Sequence, residues 1–395
     1  MRLARVAAVL AAALAVAGCQ QKKEEAAAPK ASAVPAPAPG DRILLGHVGS
    51  MTGSEATFGD STDKGIRLAV AEANAKGGVK GKQIEVKTYD SQGKPEEAAV
   101  AATRLVVQDK VAVLLGEVAS SRSLAMAPIA DANRTPMISP SSTNPRVTKD
   151  GAKTRPYVFR VCFIDPFQGT VMAKFARDTL KIDKVAILRD VGNDYSVGLA
   201  DFFAQKFQEL GGKIVTDQSY KAGDQDFKAQ LTAIKNKNPQ AIYVPGYYTD
   251  VALIARQARE LGMKQPLMGG DGWDSVKLYE IAKGALDGSY FSNHYTPDSP
   301  APVIQEFVKR YQAAYGQVPD SLAAQAYDAG RIAVDAMQRA KDLTGPSIRD
   351  AIEATKGFDG VTGIINIDAD HNAQKPAVVL GIQGNQAKYA ATIAP

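Results

Sequence analysis

The sequence holds only two cysteines and three histidines in 395 residues. These shortages exclude several kinds of site. No C-x-x-C and no H-E-x-x-H occurs, and His47, His294 and His371 stand far apart, so the usual zinc and catalytic-histidine patterns are missing. Cys19 belongs to the leader, which leaves Cys162 without a partner for an internal disulfide. Within the β-branched and aromatic run YVFRVCF, Cys162 reads as a buried thiol. There is no G-x-S-x-G elbow, no G-x-x-x-x-G-K-[ST] loop and no G-x-G-x-x-G after the first strand. GGVKGK is rich in glycine but lies between a helix and a strand, the wrong order for a phosphate loop. Blocks of like charge are also missing. The net charge of +5 falls to +3 once Arg2 and Arg5 leave with the leader, so neither nucleic acid nor an acidic surface is indicated as a partner.

What is present begins with a leader. Arg2 and Arg5 precede an apolar run, Val6 to Val16, that is too short for the ~20 residues a bilayer span needs. Ala17-Gly18-Cys19 follows and resembles the lipobox of bacterial lipoproteins. Residues 1–18 are therefore expected to be a signal peptide, with Cys19 lipidated. Gln20 to Arg42, QQKKEEAAAPKASAVPAPAPGDR, lacks large apolar residues and cannot offset its ordering entropy, so residues 19–42 are expected to be an anchor and tether. The residue after the cysteine is not aspartate, and anchoring in either membrane stays open.

Beyond the tether, short apolar runs alternate with helical patterns. RILLGHV, QIEVKTYD, VAVLLG and PMIS read as strands separated by helices. A second series, KVAILRD, GKIVTD, QAIYVPG and QPLMGG, repeats the alternation. Continuous apolar strands such as VAVLLG suit parallel sheets covered on both faces. The expected fold is α/β, with two doubly wound lobes. After helical patterns near the C-terminus, two further strand-like stretches return the chain to complete both lobes. Residues 43–164 with 294–367 are assigned to the N-terminal lobe, and 165–293 with 368–395 to the C-terminal lobe. Hinge crossings are expected near Phe163–Asp165, Ser292–His294 and Asp368.

The stretch LLGEVASSRS concentrates Ser120, Ser121 and Ser123 where a strand gives way to a helix. Ligands of open α/β sheets bind at the carboxyl ends of strands, and a helix start favours an anion through its free N–H groups and its dipole. A serine there caps the helix or donates to a carboxylate. It has no histidine or lysine in the motif to act as the base a nucleophile requires. ISPSSTNP brings Ser141, Ser142 and Thr143 to the next strand end, making a polar basin beside the first cluster.

In their order and spacing, GSMTGSEATFGD, NAKGGVKGKQIEV, GEVASSRS, PMISPSSTNP, VFRVCFIDPFQG, GNDYSVGLA, GYY and GGDGWDS resemble the type I periplasmic substrate-binding proteins of branched-chain amino acid ABC transporters, the leucine/isoleucine/valine-binding group. The resemblance runs from Ile43 to the C-terminus. It implies that Ser120 and Thr143 hold a ligand carboxylate, and that the Ser141 backbone and Asp271 hold the ammonium. Phe58 and Tyr195 would form the side-chain pocket, and Tyr247 would be a ligand-binding tyrosine on the far lobe. Leucine binders carry glutamate where this chain has Asp271. Their third pocket aromatic falls at Leu322, while Trp273 is an added aromatic near the acid.

The expectation is a monomeric, periplasmic lipoprotein, anchored through Cys19, that delivers a branched-chain or other apolar amino acid to a permease. It is expected to be no enzyme, with no cofactor and no metal. The alternatives are the same fold binding an amide, urea or aromatic acid, or a sensor for a signalling partner. A soluble form beginning after Cys19 is expected to fold and bind an amino acid with no metal added. Loss of binding on chelation, restored by a metal, would contradict this.

Overall fold

The computed structural model describes residues 42–394. The expected signal peptide at 1–18, the lipidation site Cys19 and the tether up to residue 41 lie outside them. No described helix is long and apolar enough to cross a membrane.

Two large sheets organise the described chain. The first is parallel throughout, in the order Gln83–Asp90, Arg42–Gly49, Val113–Leu115, Met137–Ser139, Val158–Arg160. The second runs Gln386–Ile393, Ala377–Gln383, Tyr290–Asn293, Leu267–Gly269, Ala241–Tyr243, Lys184–Asp190, Lys213–Tyr220. Ala377–Gln383 pairs antiparallel with both of its neighbours, and the other pairings are parallel. Within each sheet, the first strand in sequence lies between the second and the third. The order therefore reverses at one point, and the carboxyl ends of the strands there open a crevice.

The apolar runs are continuous because both faces are covered. Val113 and Leu115 pack on one side with Ile332 and Ala333 of the helix Ser321–Arg339. Leu114, between them, packs on the other side with Met126 and Ala127 of the helix Ser120–Ala132. In the second lobe, Phe203, Leu231, Ile254 and Val379 belong to one core with Val185 and Ile242. Cys162 is buried and free, and burial pushes its thiol up to about 12.

The chain passes between the sheets three times. Val158–Arg160 leads to the helix Asp165–Lys174, whose Val171 and Met172 join the second core. Tyr290–Asn293 leads back to the helix Pro302–Tyr315, whose Phe307 packs with Tyr327. The third passage lies between Ala373, in the first core, and Ala377, in the second sheet. This is downstream of the expected Asp368. Residues near Asp368 stay with the first lobe because Lys149 pairs with Asp370, and Thr148 donates to the side chain of Asn372.

The helices Ala56–Ala75 and Ser321–Arg339 approach closely at Gly65, where an added Cβ would lie 2.3 Å from the carbonyl of Ala323. Gly65→Ala is expected to force the pair apart and destabilise the protein by about 1–3 kcal/mol, measured by urea denaturation. An unchanged midpoint would contradict this packing.

Candidate ligand-binding cleft

The two points of order reversal face each other. From the first sheet, the chain leaves Leu115 through Gly116, whose φ is +107° and whose Cβ would strike the Val48 carbonyl at 2.1 Å. Only glycine fits, so the strand end turns sharply alongside its neighbour. Ala119 takes the N-cap position and Ser120 is the first helical residue, so Ser120 is not the cap that the sequence suggested. The Glu117 carboxylate instead accepts the Ala119 N–H at 2.8 Å, together with the hydroxyls of Ser50 and Ser91. Burial raises the Glu117 carboxyl, but Arg122 and the Ala119 N–H outweigh that and hold it below its usual range. Arg122 in turn pairs with Glu55 at 2.6 Å.

The serines divide into two groups. Ser123, Ser139 and Ser142 converge on the Glu117 carbonyl at 3.0, 2.7 and 2.9 Å, stitching the two loops together. Arg160, wholly buried, donates to the carbonyls of Ser142 and Asn144 at 2.6 and 2.9 Å and to Thr148, which sets the loop from below. These are structural contacts. Ser120 Oγ accepts the Asn144 N–H at 3.2 Å, and the Thr143 hydroxyl neighbours the buried Asp165 carboxyl, whose charge it favours. Among the described residues, no histidine or lysine is hydrogen-bonded to Ser120 Oγ.

From the second sheet comes Asp271, in the single turn Asp271–Trp273 after Leu267–Gly269. It is buried and surrounded by donors: Gln168 Nε2 at 2.7 Å, Tyr195 OH at 3.0 Å, His294 Nε2 at 3.0 Å and Ser141 Oγ at 3.1 Å. Burial by itself would raise the carboxyl. His294, Gln168 and Tyr195 reverse that and hold it below the usual carboxylate range. Burial lowers His294 to about 4 against the pull of Asp271. The imidazole is therefore neutral at pH 7, and its proton sits on Nε2, where Asp271 accepts it. Phe163 stacks on the ring at 3.7 Å.

Aromatic rings close the remaining walls. Tyr195 and Tyr247 stack at 5.4 Å, and Phe58 meets Tyr247 edge-on at 5.5 Å. With Val118, Ser141, Asp271, Gly272 and Leu322 they enclose a cavity of about 10 Å³. Trp273 is not part of this wall. Its ring lies under the turn, against Gly269, and donates from Nε1 to the Val244 carbonyl at 3.0 Å. Adjacency in sequence placed it near the acid, but the tight turn aims it into the core. A larger cavity, about 540 Å³, lies elsewhere, lined in part by Tyr295, Ile364, Val378 and Tyr389. Asp298, Asp359, Thr296, Ser299, Thr362 and Thr392 also border it, so polar groups by themselves do not set the two cavities apart.

The lobes meet around this cavity. Ser121 donates to Asp194 at 2.9 Å, Arg146 pairs with Asp194 at 2.8 Å, Thr57 and Ser275 share a hydrogen bond at 2.9 Å, and Thr249 donates to the Ser54 carbonyl at 2.6 Å. The cleft is shut. Sequence reasoning assigned no role to Glu117, Arg160, Gln168 or His294. A charged residue in an apolar strand was the available signal for Arg160. Gln168 and His294 meet at Asp271, which lies more than a hundred residues from one and 23 from the other.

Residues 42–387 match the family described as periplasmic binding protein. The chain belongs to that family. Its members are binding proteins rather than enzymes, and they work outside the cytoplasm. The chain is 34% identical over 328 residues to the Leu/Ile/Val-binding protein homolog 2 of Brucella abortus, covering 83% of this chain and 86% of the relative. The structure of a leucine binding protein, LivK, from Thermotoga maritima superposes with a TM-score of 0.85 at 42% identity, covering 89% of this chain and 99% of the other. LivJ from Streptococcus pneumoniae, in complex with isoleucine, gives 0.84 at 35% identity, with 90% and 100% covered. This periplasmic binding protein thus has the two-lobed fold expected from its sequence.

Removing the Asp271 carboxylate strands its donors. Asp271→Ala is expected to destabilise the ligand-free protein by about 1–3 kcal/mol, the cost of leaving buried donors without an acceptor. Urea denaturation checks this, and unchanged stability would show that water replaces the carboxylate without loss.

Proposed function

We propose that this protein captures a branched-chain or other apolar α-amino acid and delivers it, unaltered, to the permease of an ABC transporter. One observation carries the reading. An ionised, buried Asp271 lies at an aromatic-lined cavity with Ser141 bonded to it, and the start of the helix Ser120–Ala132 is one hydrogen bond from the Thr143–Asn144 loop. An amino-acid zwitterion needs both ends of that arrangement. Its ammonium is neutralised by Asp271, with Ser141 beside it. Its carboxylate is held by Ser120, Thr143 and the free N–H groups of the first helical turn through charge-assisted hydrogen bonds. Phe58, Tyr195, Tyr247 and Leu322 enclose the apolar side chain, and Trp273 supports the Asp271 turn from below.

A cavity of about 10 Å³ does not admit an amino acid, so loading requires the lobes to part about their three connections. Contacts from the ligand to both lobes then stabilise the closed form over the open one. The relatives whose names include leucine, isoleucine and valine support this ligand class. A neutral amide or urea would leave the ionised Asp271 without a countercharge. We further propose a monomer, held at the membrane through lipidated Cys19 and docking on its permease when closed.

Calorimetry with the twenty amino acids tests the reading. Leucine, isoleucine or valine should bind best, and leucinamide, which lacks the carboxylate, should bind poorly. Asp271→Asn should weaken leucine binding more than tenfold, because a buried ammonium without its countercharge costs about 3–5 kcal/mol. Equal binding of leucine and leucinamide would overturn the reading.

A further inference from the structure

We propose that Asp274 is a positioning residue for closure, a latch that reaches from the second lobe to the first and couples ligand capture to the uptake of a proton. It follows the Asp271 turn and makes no contact with the cavity. Its Oδ2 accepts the Asn293 amide at 2.9 Å within its own lobe and the Ser321 N–H at 2.8 Å across the cleft. Ser321 opens the helix Ser321–Arg339 of the first lobe, and that helix already has an acidic cap. Asp320 Oδ1 accepts the Ala323 N–H at 2.8 Å, and its Oδ2 accepts the Ser61 hydroxyl at 2.5 Å. Closing the cleft thus brings a second carboxylate, from the other lobe, to one helix N-terminus.

Among the described residues, no compensating cation lies beside the two carboxylates. Asp274 faces Asp271, Asn293, and the phenols of Tyr279 and Tyr295. Asp320 faces Ser61, Asp60, Tyr295 and Tyr311. Lys64 is paired with Asp60, and the neutral His294 with Asp271. Among the described residues, no ion pair reaches Asp274 or Asp320. Both acids are partly buried at the seam. Burial raises Asp320 to about 7, with the nearby Asp274 adding to the rise, and burial likewise raises Asp274.

When the lobes part, both carboxyls meet water and return towards the ordinary range near 4. Closing therefore takes up a proton at intermediate pH. The closed form is favoured below the raised value and loses that advantage as pH rises through it. Asparagine at 274 keeps the acceptor for Ser321 but cannot titrate. Alanine removes both.

The latch rests on the closing motion proposed above, but its test is separable. Leucine binding is measured by calorimetry in buffers of different ionisation enthalpy, which counts protons directly. At about pH 6 the unmodified protein should take up measurably more protons per leucine than Asp274→Asn. Asp274→Asn should bind leucine about as well as the unmodified protein at low pH. Asp274→Ala should bind about tenfold more weakly, or worse, at every pH. Equal proton uptake by the unmodified protein and Asp274→Asn would overturn the proposal, as would equal affinities of the Asn and Ala variants. If leucine binds at no pH, the amino-acid reading fails. The latch is then read from fluorophores on the two lobes, and closure that ignores pH, or that responds alike in Asp274→Asn, overturns it.

Discussion

The structure of the cleft depends on keeping one carboxylate ionised out of water. Burial opposes the charge on Asp271, and four donors from separate parts of the chain reverse that opposition. Gln168 comes from the helix after the first connection, Tyr195 from a helix start in the second lobe, His294 from the second connection, and Ser141 from the opposite lobe. The acid is therefore wired into two of the three chain crossings. A charge so held is available to a cationic ligand and also ties the site to the hinge.

The opposite wall works differently. It carries no free cation, since Arg122 is engaged by Glu55 and Glu117, and Arg160 is engaged by backbone carbonyls and Thr148. It offers neutral donors at the start of a helix, a suitable environment for a carboxylate that must later be released. Holding the two serine-rich loops in register takes much of the local polarity: Glu117, Arg160, Ser123, Ser139 and Ser142 bond to one another or to backbone, and Ser120 and Thr143 stay outside that network. The lobes then meet through side chains of both signs around Asp194, through hydroxyls around Thr57, and through a carboxylate at the Ser321 helix start. Closure is distributed over many weak contacts, as a reversible motion requires.

Much of this was legible in the order of residues. Alternating apolar runs and helical patterns specify parallel sheets because only strands covered on both faces can be apolar throughout, and VAVLLG is such a strand. The hydroxyl-rich strand ends were readable because their neighbours in sequence mark loops, whereas the acid in GGDGWDS and the aromatics at 58, 195 and 247 came only from the family resemblance. Three-dimensional arrangement decided the rest. Which serines are structural and which face the cleft depends on where the Glu117 carbonyl points. Trp273 turned from the pocket to the core because a single tight turn separates it from Asp271. The third connection moved beyond Asp368 because Thr148 and Lys149, some 220 residues earlier, hold that turn. Local chemistry fixes strands, helices and caps, because those interactions join neighbours. The ionisation of Asp271, the proton on His294 and the meeting of Asp274 with Ser321 arise only when distant segments exclude water together, and no local pattern encodes that.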